Sequence, residues 1–169
     1  MKTRRLLLGA VGGAVGGLAI AKLSTNLVAA KPLPTEQEKY WPDSILQTHE
    51  GKHVRFYTDL IKHKIVIINA MYTVCAGVCP TNTASLAAVQ QALGDRIGKD
   101  IFIYSISLQP VIDTPAALKD YVNKYRVKKG WTFLTGKAAD IELIRRQLGF
   151  YDPDPVAGAH IATHPCVFR

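Results

Sequence analysis

Apolar and polar positions alternate along this chain in two rhythms, one of strands and one of helices. Ile45-Leu46-Gln47-Thr48 and His53-Val54-Arg55-Phe56 are short strand-like stretches separated by His49-Glu50-Gly51-Lys52, which predicts a hairpin with Gly51 at its turn. Tyr57 to Leu60 fits a single helical turn. Ile65 to Ala70 is a continuous apolar run, which predicts a strand covered on both faces and central in its sheet. Thr81 to Leu93 has Leu86, Val89 and Leu93 at offsets 0, 3 and 7, one helical face stopped by Gly94. Ile101 to Ser107 is a second buried-type strand. Thr114 as N-cap and Pro115 at the first helical position open a helix whose Leu118, Tyr121, Val122 and Tyr125 share a face. Trp131 to Leu134 is a short strand. Ala138 to Leu148 is a helix with Ile141, Ile144 and Leu148 inward, and Gly149 ends it. After a loop carrying Pro153, Pro155 and Gly158, His164 to Arg169 begins a further strand.

The predicted order is a β-hairpin, then β, α, β, α, β, α, β, which implies a partly parallel sheet with helices on both faces. The strand from Ile65 ends in Cys75 and Cys79, followed by Pro80 and a helix. A CxxxC pair delivered by a central strand to a helix start narrows the class to a thioredoxin-like α/β fold. The chain has 169 residues with 48% apolar content, enough for one domain with a real core.

The net charge of +8 is partly N-terminal. Lys2, Arg4, Arg5 and Lys22 lie in the first thirty residues, which contain no acid, and setting them aside leaves 17 basic against 13 acidic residues. That balance, with no dense basic run, excludes nucleic-acid binding. The same thirty residues have the form of a targeting segment: a basic start, a glycine-diluted apolar run from Leu6 to Ile20, and Val28-Ala29-Ala30 at its end. Thr3-Arg4-Arg5 before Leu6-Leu7-Leu8 matches a twin-arginine signal, with an ordinary export signal or an uncleaved membrane tether as alternatives; the apolar run is short for a span of about 20 residues. Each alternative puts the domain outside the cytoplasm. The expected organisation is a signal or anchor over 1–30, a linker over 31–42, and the α/β domain over 43–169.

Three cysteines are too few, and the wrong parity, for a disulfide scaffold. Cys75 and Cys79 point to one side whether the segment is helical or a loop entering a helix. A helix N-terminus favours the thiolate, which is both the metal ligand and the nucleophile. Three chemistries stay open on this ground: metal binding, disulfide exchange, or an inert pair. Three intervening residues suit two sulfurs converging on a soft ion, and two thiolates with one imidazole suit Cu(I), or Cu(II) or zinc with rearrangement. Of five histidines, His49, His53 and His63 are expected on the surface. His164, before Pro165 in the loop that a thioredoxin-like sheet sets beside the cysteines, is the chosen third ligand, with His160 in reserve. Cys166 shares a strand face with His164 and is read as a small core residue, and Met71 likewise as core.

G-K-H-V-R-F-Y-T-D-L-I-K from Gly51, I-N-A-M-Y-T-V-C-A-G-V-C-P from Ile68, S-I-S-L-Q-P-V-I-D-T-P from Ser105, and W-T-F-L-T-G from Trp131 with a later histidine together resemble the Sco/SenC family of copper chaperones. The resemblance covers most of the chain after Trp41. It implies a thioredoxin-like domain tethered in the bacterial periplasm, binding copper through Cys75, Cys79 and His164. It also implies partnership with the copper-site subunit of cytochrome c oxidase, as a copper carrier or as a thiol-disulfide oxidoreductase on that site's cysteines, served by a thiol reductant. In the oxidoreductase reading Cys75 and Cys79 are the catalytic pair. The chain departs from the family pattern at Ala76-Gly77-Val78, where an acidic residue is common, and at Gln109, where an aspartate is common. The family fold continues past Cys166 with a strand and helix, so this chain, ending at Arg169, is expected to be less stable than one extended by such a tail.

Overall fold

The computed structural model describes residues 35–150. The expected signal, His160, His164, Cys166 and the C-terminal strand lie outside the described residues.

Polar spacing opens the described chain with a short helix rather than an extended segment. Thr35 and Glu38 form a reciprocal capping box, and α1 runs Glu36–Tyr40. The stretch read as the end of the linker is fastened to the rest: Glu38 pairs with Lys62 at 2.5 Å, the Gln147 amide donates to the Tyr40 carbonyl at 2.7 Å, and Trp41 packs edge-on to Phe56.

The hairpin forms as expected, with β1 (Ile45–Thr48) and β2 (His53–Arg55) antiparallel and Gly51 in the left-handed region. The single turn expected at Tyr57–Leu60 is wider, a six-residue π-helical turn over Phe56–Ile61. The Asp43 carboxylate holds it by accepting the Thr58 N–H at 2.8 Å and hydroxyl at 2.7 Å. β3 (Ile65–Met71), β4 (Ile101–Ser107) and β5 (Trp131–Gly136) are parallel, with helices α2 (Val78–Leu93), α3 (Pro115–Lys124) and α4 (Ala138–Gln147) between and after them. β1 adds antiparallel to β5, so the strand order is β2-β1-β5-β4-β3.

The expectation that the Ile65 strand is central turns on the C-terminal strand, which lies outside the described residues. Among the described residues β3 is an edge, pairing only with β4, from Ile65↔Ile101 to Met71↔Ser107. Its N-terminal half is accordingly open, with Ile65 60% exposed, while Ile68 to Met71 are buried.

The sheet carries a core on each face. Leu46, Ile68, Tyr104, Ile106 and Leu134 meet Phe56 and Leu60 of the π-helical turn and Ile141 and Ile144 of α4. Met71, Ile103, Trp131 and Phe133 face Cys79 and Leu86 of α2 and Leu118 and Tyr121 of α3. The α2 face is rotated from the one expected. Cys79, Thr83, Leu86 and Gln90 are buried, whereas Val89 is exposed. Polar side chains occupy the face because each finds a partner. Gln90 accepts the Lys128 N–H at 3.1 Å and donates to the Lys128 carbonyl at 2.8 Å, and Thr83 meets the Tyr121 hydroxyl at 2.9 Å. A count of apolar residues cannot see a satisfied buried amide.

Candidate thiol site

β3 ends buried at Met71 and hands the chain to the half-buried to exposed loop 72–77. Tyr72 to Cys75 closes as a turn, the Cys75 N–H donating to the Tyr72 carbonyl at 3.3 Å. α2 begins at Val78, three residues earlier than the sequence pattern places it, so Cys79 and Pro80 lie in its first turn. Proline is tolerated there because the first four N–H groups of a helix have no internal acceptor.

The N-cap residue Gly77 has no side chain to accept those N–H groups, and the Cys75 sulfur accepts from the Gly77 and Cys79 N–H groups. Burial raises the Cys75 thiol, but hydrogen bonds from the Cys79 thiol, the Cys79 and Gly77 N–H groups and Tyr72 outweigh it and bring the value from 9.0 to about 7. The pair is therefore a loop cysteine facing a helix cysteine, not two positions on one helix. Neither is in a disulfide; Cys75 is half-buried and Cys79 buried. The first turn of α2 is braced from below: Thr83 donates to the Cys79 carbonyl at 2.8 Å, and the Tyr121 hydroxyl beside Thr83 is kept protonated by burial, its pKa raised. Met71 lies in the core beneath, beside Cys79.

The loop is fastened on its other side by Asp113. Its carboxylate accepts the Thr73 N–H at 3.0 Å and hydroxyl at 2.5 Å, and the Ser107 hydroxyl at 2.6 Å. The sequence pattern places Asp113 only at a helix start, and misses this contact. The available signal is that Thr114 already fills the N-cap role, accepting the Ala117 N–H at 3.2 Å, which leaves an adjacent carboxylate with no local task.

Two sulfurs with one held near its thiolate form suit a soft cation, and a three-coordinate ion needs one more donor. Among the described residues no third histidine, cysteine or carboxylate completes a metal group. His49 is not the plain surface residue expected. Its Nδ1 accepts the Phe133 N–H at 3.2 Å and its ring stands edge-on to Phe133, a structural placement at the end of β1. His63 sits at a left-handed turn before β3.

A mixed sheet with helices on both faces, and a thiol pair between a parallel strand and the following helix, define a thioredoxin-like α/β protein. The chain belongs to the SCO1/SenC family: residues 35–164 match the family model. It is 31% identical over 107 residues to an SCO1 protein homolog of Bacillus subtilis, covering 62% of this chain and 51% of that protein; the chain spans about half the length of the curated relatives it matches. Bradyrhizobium japonicum ScoI, solved with copper bound, superposes with a TM-score of 0.58 at 29% identity over 66% of this chain and 67% of that one. BsSco, described with a disulfide switch and as a member of the Sco family of cytochrome c oxidase assembly proteins, superposes with a TM-score of 0.56 at 26% identity over 70% of this chain and 68% of that one.

Proposed function

We propose that this protein is a copper-binding assembly factor that holds Cu(I) between Cys75, Cys79 and His164 and passes it by ligand exchange to the copper-site subunit of a cytochrome c oxidase. The observation that carries the reading is the thiol pair itself: two sulfurs outside any disulfide meet at the N-terminus of α2, with Cys75 lowered to about 7 although burial opposes it. Thiolates are the preferred donors for Cu(I), and a thiol that ionises near neutral pH binds the ion with little proton cost. His164 supplies the third donor, since an imidazole nitrogen beside two thiolates suits a soft ion. Copper is cargo here: the chain's part is to keep two sulfurs apart from oxidants and oriented toward one side. The N-terminal thirty residues carry the domain out of the cytoplasm through a twin-arginine signal, and the domain works in the periplasm, cleaved or tethered.

A second reading has its own support. An attacking thiol works best when its pKa lies near ambient pH, and Cys75 lies there. In that reading Cys75 attacks a disulfide of the acceptor's copper site, one acceptor thiol leaves as thiolate, and Cys79 then attacks the Cys75 sulfur of the mixed disulfide. The second acceptor thiol is released, and Cys75–Cys79 ends oxidised until a thiol reductant restores it.

Anaerobic Cu(I) titration of the reduced protein separates the two. About one equivalent bound by the wild type, with much weaker binding by Cys75→Ser and His164→Ala, is the expected result. A wild type that binds no Cu(I), while reducing a model disulfide in a manner dependent on both cysteines, selects the second reading. His164→Ala binding as tightly as wild type overturns the ligand set.

A further inference from the structure

We propose that Asp113 is the positioning residue of the thiol site: its carboxylate fastens the loop before α2 to the end of β4, and so holds Cys75 over the helix N-terminus. The two oxygens divide the work. Oδ1 accepts both the Thr73 N–H at 3.0 Å and the Thr73 hydroxyl at 2.5 Å. Oδ2 accepts the Ser107 hydroxyl at 2.6 Å, and the Ser107 oxygen in turn accepts the Gln109 N–H at 3.0 Å. Thr73 belongs to the turn that the Cys75 N–H closes onto Tyr72, so a fixed Thr73 fixes the turn on which Cys75 rides.

Three features make this more than a packing contact. Asp113 is 0% exposed, and a fully buried carboxylate is unfavourable unless donors satisfy it. The donors it has come from two places far apart in the chain, Thr73 just past the end of β3 and Ser107 at the end of its parallel neighbour β4. Capping of α3 does not need it, because Thr114 does that. Hydrogen bonds to a charged acceptor are about twice as strong as neutral ones, which suits a loop whose turn closes on a long backbone bond of 3.3 Å. The inference rests on Cys75 and Cys79 being the working pair, and it holds for either cargo, copper or electrons.

The test uses the full chain, reduced and metal-free. Asp113→Asn keeps the shape but leaves one acceptor oxygen, which cannot serve Thr73 and Ser107 from two sides. The expected result is local. The Thr73 and Cys75 amides exchange at least about tenfold faster, as when a hydrogen bond to a charged group is lost. Alkylation of Cys75 by iodoacetamide at pH 7 slows severalfold, because a sulfur that drifts from the helix N–H groups is less ionised. The Phe133 amide in β5 keeps its wild-type protection. Unchanged exchange and alkylation in a folded Asp113→Asn overturns the proposal, and so does an equal loss of protection at Thr73 and Phe133, which marks general destabilisation. If Asp113→Asn does not fold, Thr73→Val, which spares the Asp113–Ser107 bond, carries the test: slower Cys75 alkylation supports the proposal and an unchanged rate overturns it. A wild type that binds no Cu(I) while Asp113→Asn shows the local changes leaves Asp113's role standing and removes only the copper reading.

Discussion

The sulfur of Cys75 accepts the backbone N–H of Cys79, so the first cysteine of the pair caps the helix that carries the second. The usual N-cap is a serine, threonine, aspartate or asparagine oxygen; here Gly77 leaves the place open and a thiolate fills it. The helix gains an anionic cap and the thiol gains acidity from one geometry.

That geometry predicts the pH profile of Cys75. Burial raises the thiol, yet the Cys79 thiol and the N–H donors bring it from 9.0 to about 7. The alkylation rate of the reduced, metal-free protein should therefore rise with pH about a midpoint near 7. Cys79→Ala removes the strongest of the lowering hydrogen bonds and should move the midpoint upward. The linkage has a definite sign: a depressed folded value favours the folded state fully above the unfolded value of 9.0, and the contribution fades as pH falls through about 7. A midpoint at or above 9 in the wild type would contradict the cap.

His49 sets a second pH dependence in a different place. Burial lowers its pKa from 6.5, against a raising effect of the Glu50 charge, with Lys119 and Lys52 lowering it further. A neutral ring is needed because Nδ1 accepts from the Phe133 N–H. The stabilising contribution is then complete above pH 6.5 and is lost as the solution is acidified below it. Thermal unfolding from pH 7.5 to 5 should show a falling Tm, and His49→Gln, with an acceptor that does not titrate, should flatten that fall.

Ser105 lies at the centre of a buried polar chain beneath the thiol loop. It donates to Asn69 at 2.5 Å and accepts the Trp131 indole N–H at 2.8 Å, with Ser105 and Asn69 both buried. Ser105→Ala leaves an amide oxygen and an indole donor without that partner, at a cost of about 2–4 kcal/mol. Denaturant unfolding should register the loss as a lower midpoint with an unchanged slope, and a shift below about 0.5 kcal/mol would mean that the two groups repair each other.

Gly130 precedes β5 at φ 92°, and a Cβ there would lie 2.5 Å from an Ile97 methyl and 2.7 Å from the Gly98 nitrogen. Two backbones pass too closely for a side chain. Gly130→Ala should destabilise by about 2–4 kcal/mol, combining the left-handed conformation with overpacking. Gly51→Ala, at φ 82° but with open space around it, should lose only the conformational part, about 1–2 kcal/mol. Equal losses at the two positions would show that contact with Ile97 and Gly98 contributes nothing.

Much of this architecture is written locally. The hairpin around Gly51, the strands at Ile65, Ile101 and Trp131, and the helices after Thr114 and Lys137 are legible because alternation, caps and stops act within a few residues. The thiol pair is legible for the same reason, since a strand, a glycine and a helix start are contiguous. What only the tertiary structure decided are relations between distant positions. β1 adds antiparallel to β5, the last strand of the described parallel set, because hydrogen-bond partners, not apolar content, set sheet order. Thr83 and Gln90 face the core because Tyr121 and Lys128, thirty-eight positions away, satisfy them. Asp113 reaches Thr73 across forty positions, and no spacing rule links them. Only the parallel register of β3 with β4, which sets Met71 beside Ser107, brings that carboxylate under the loop of Cys75.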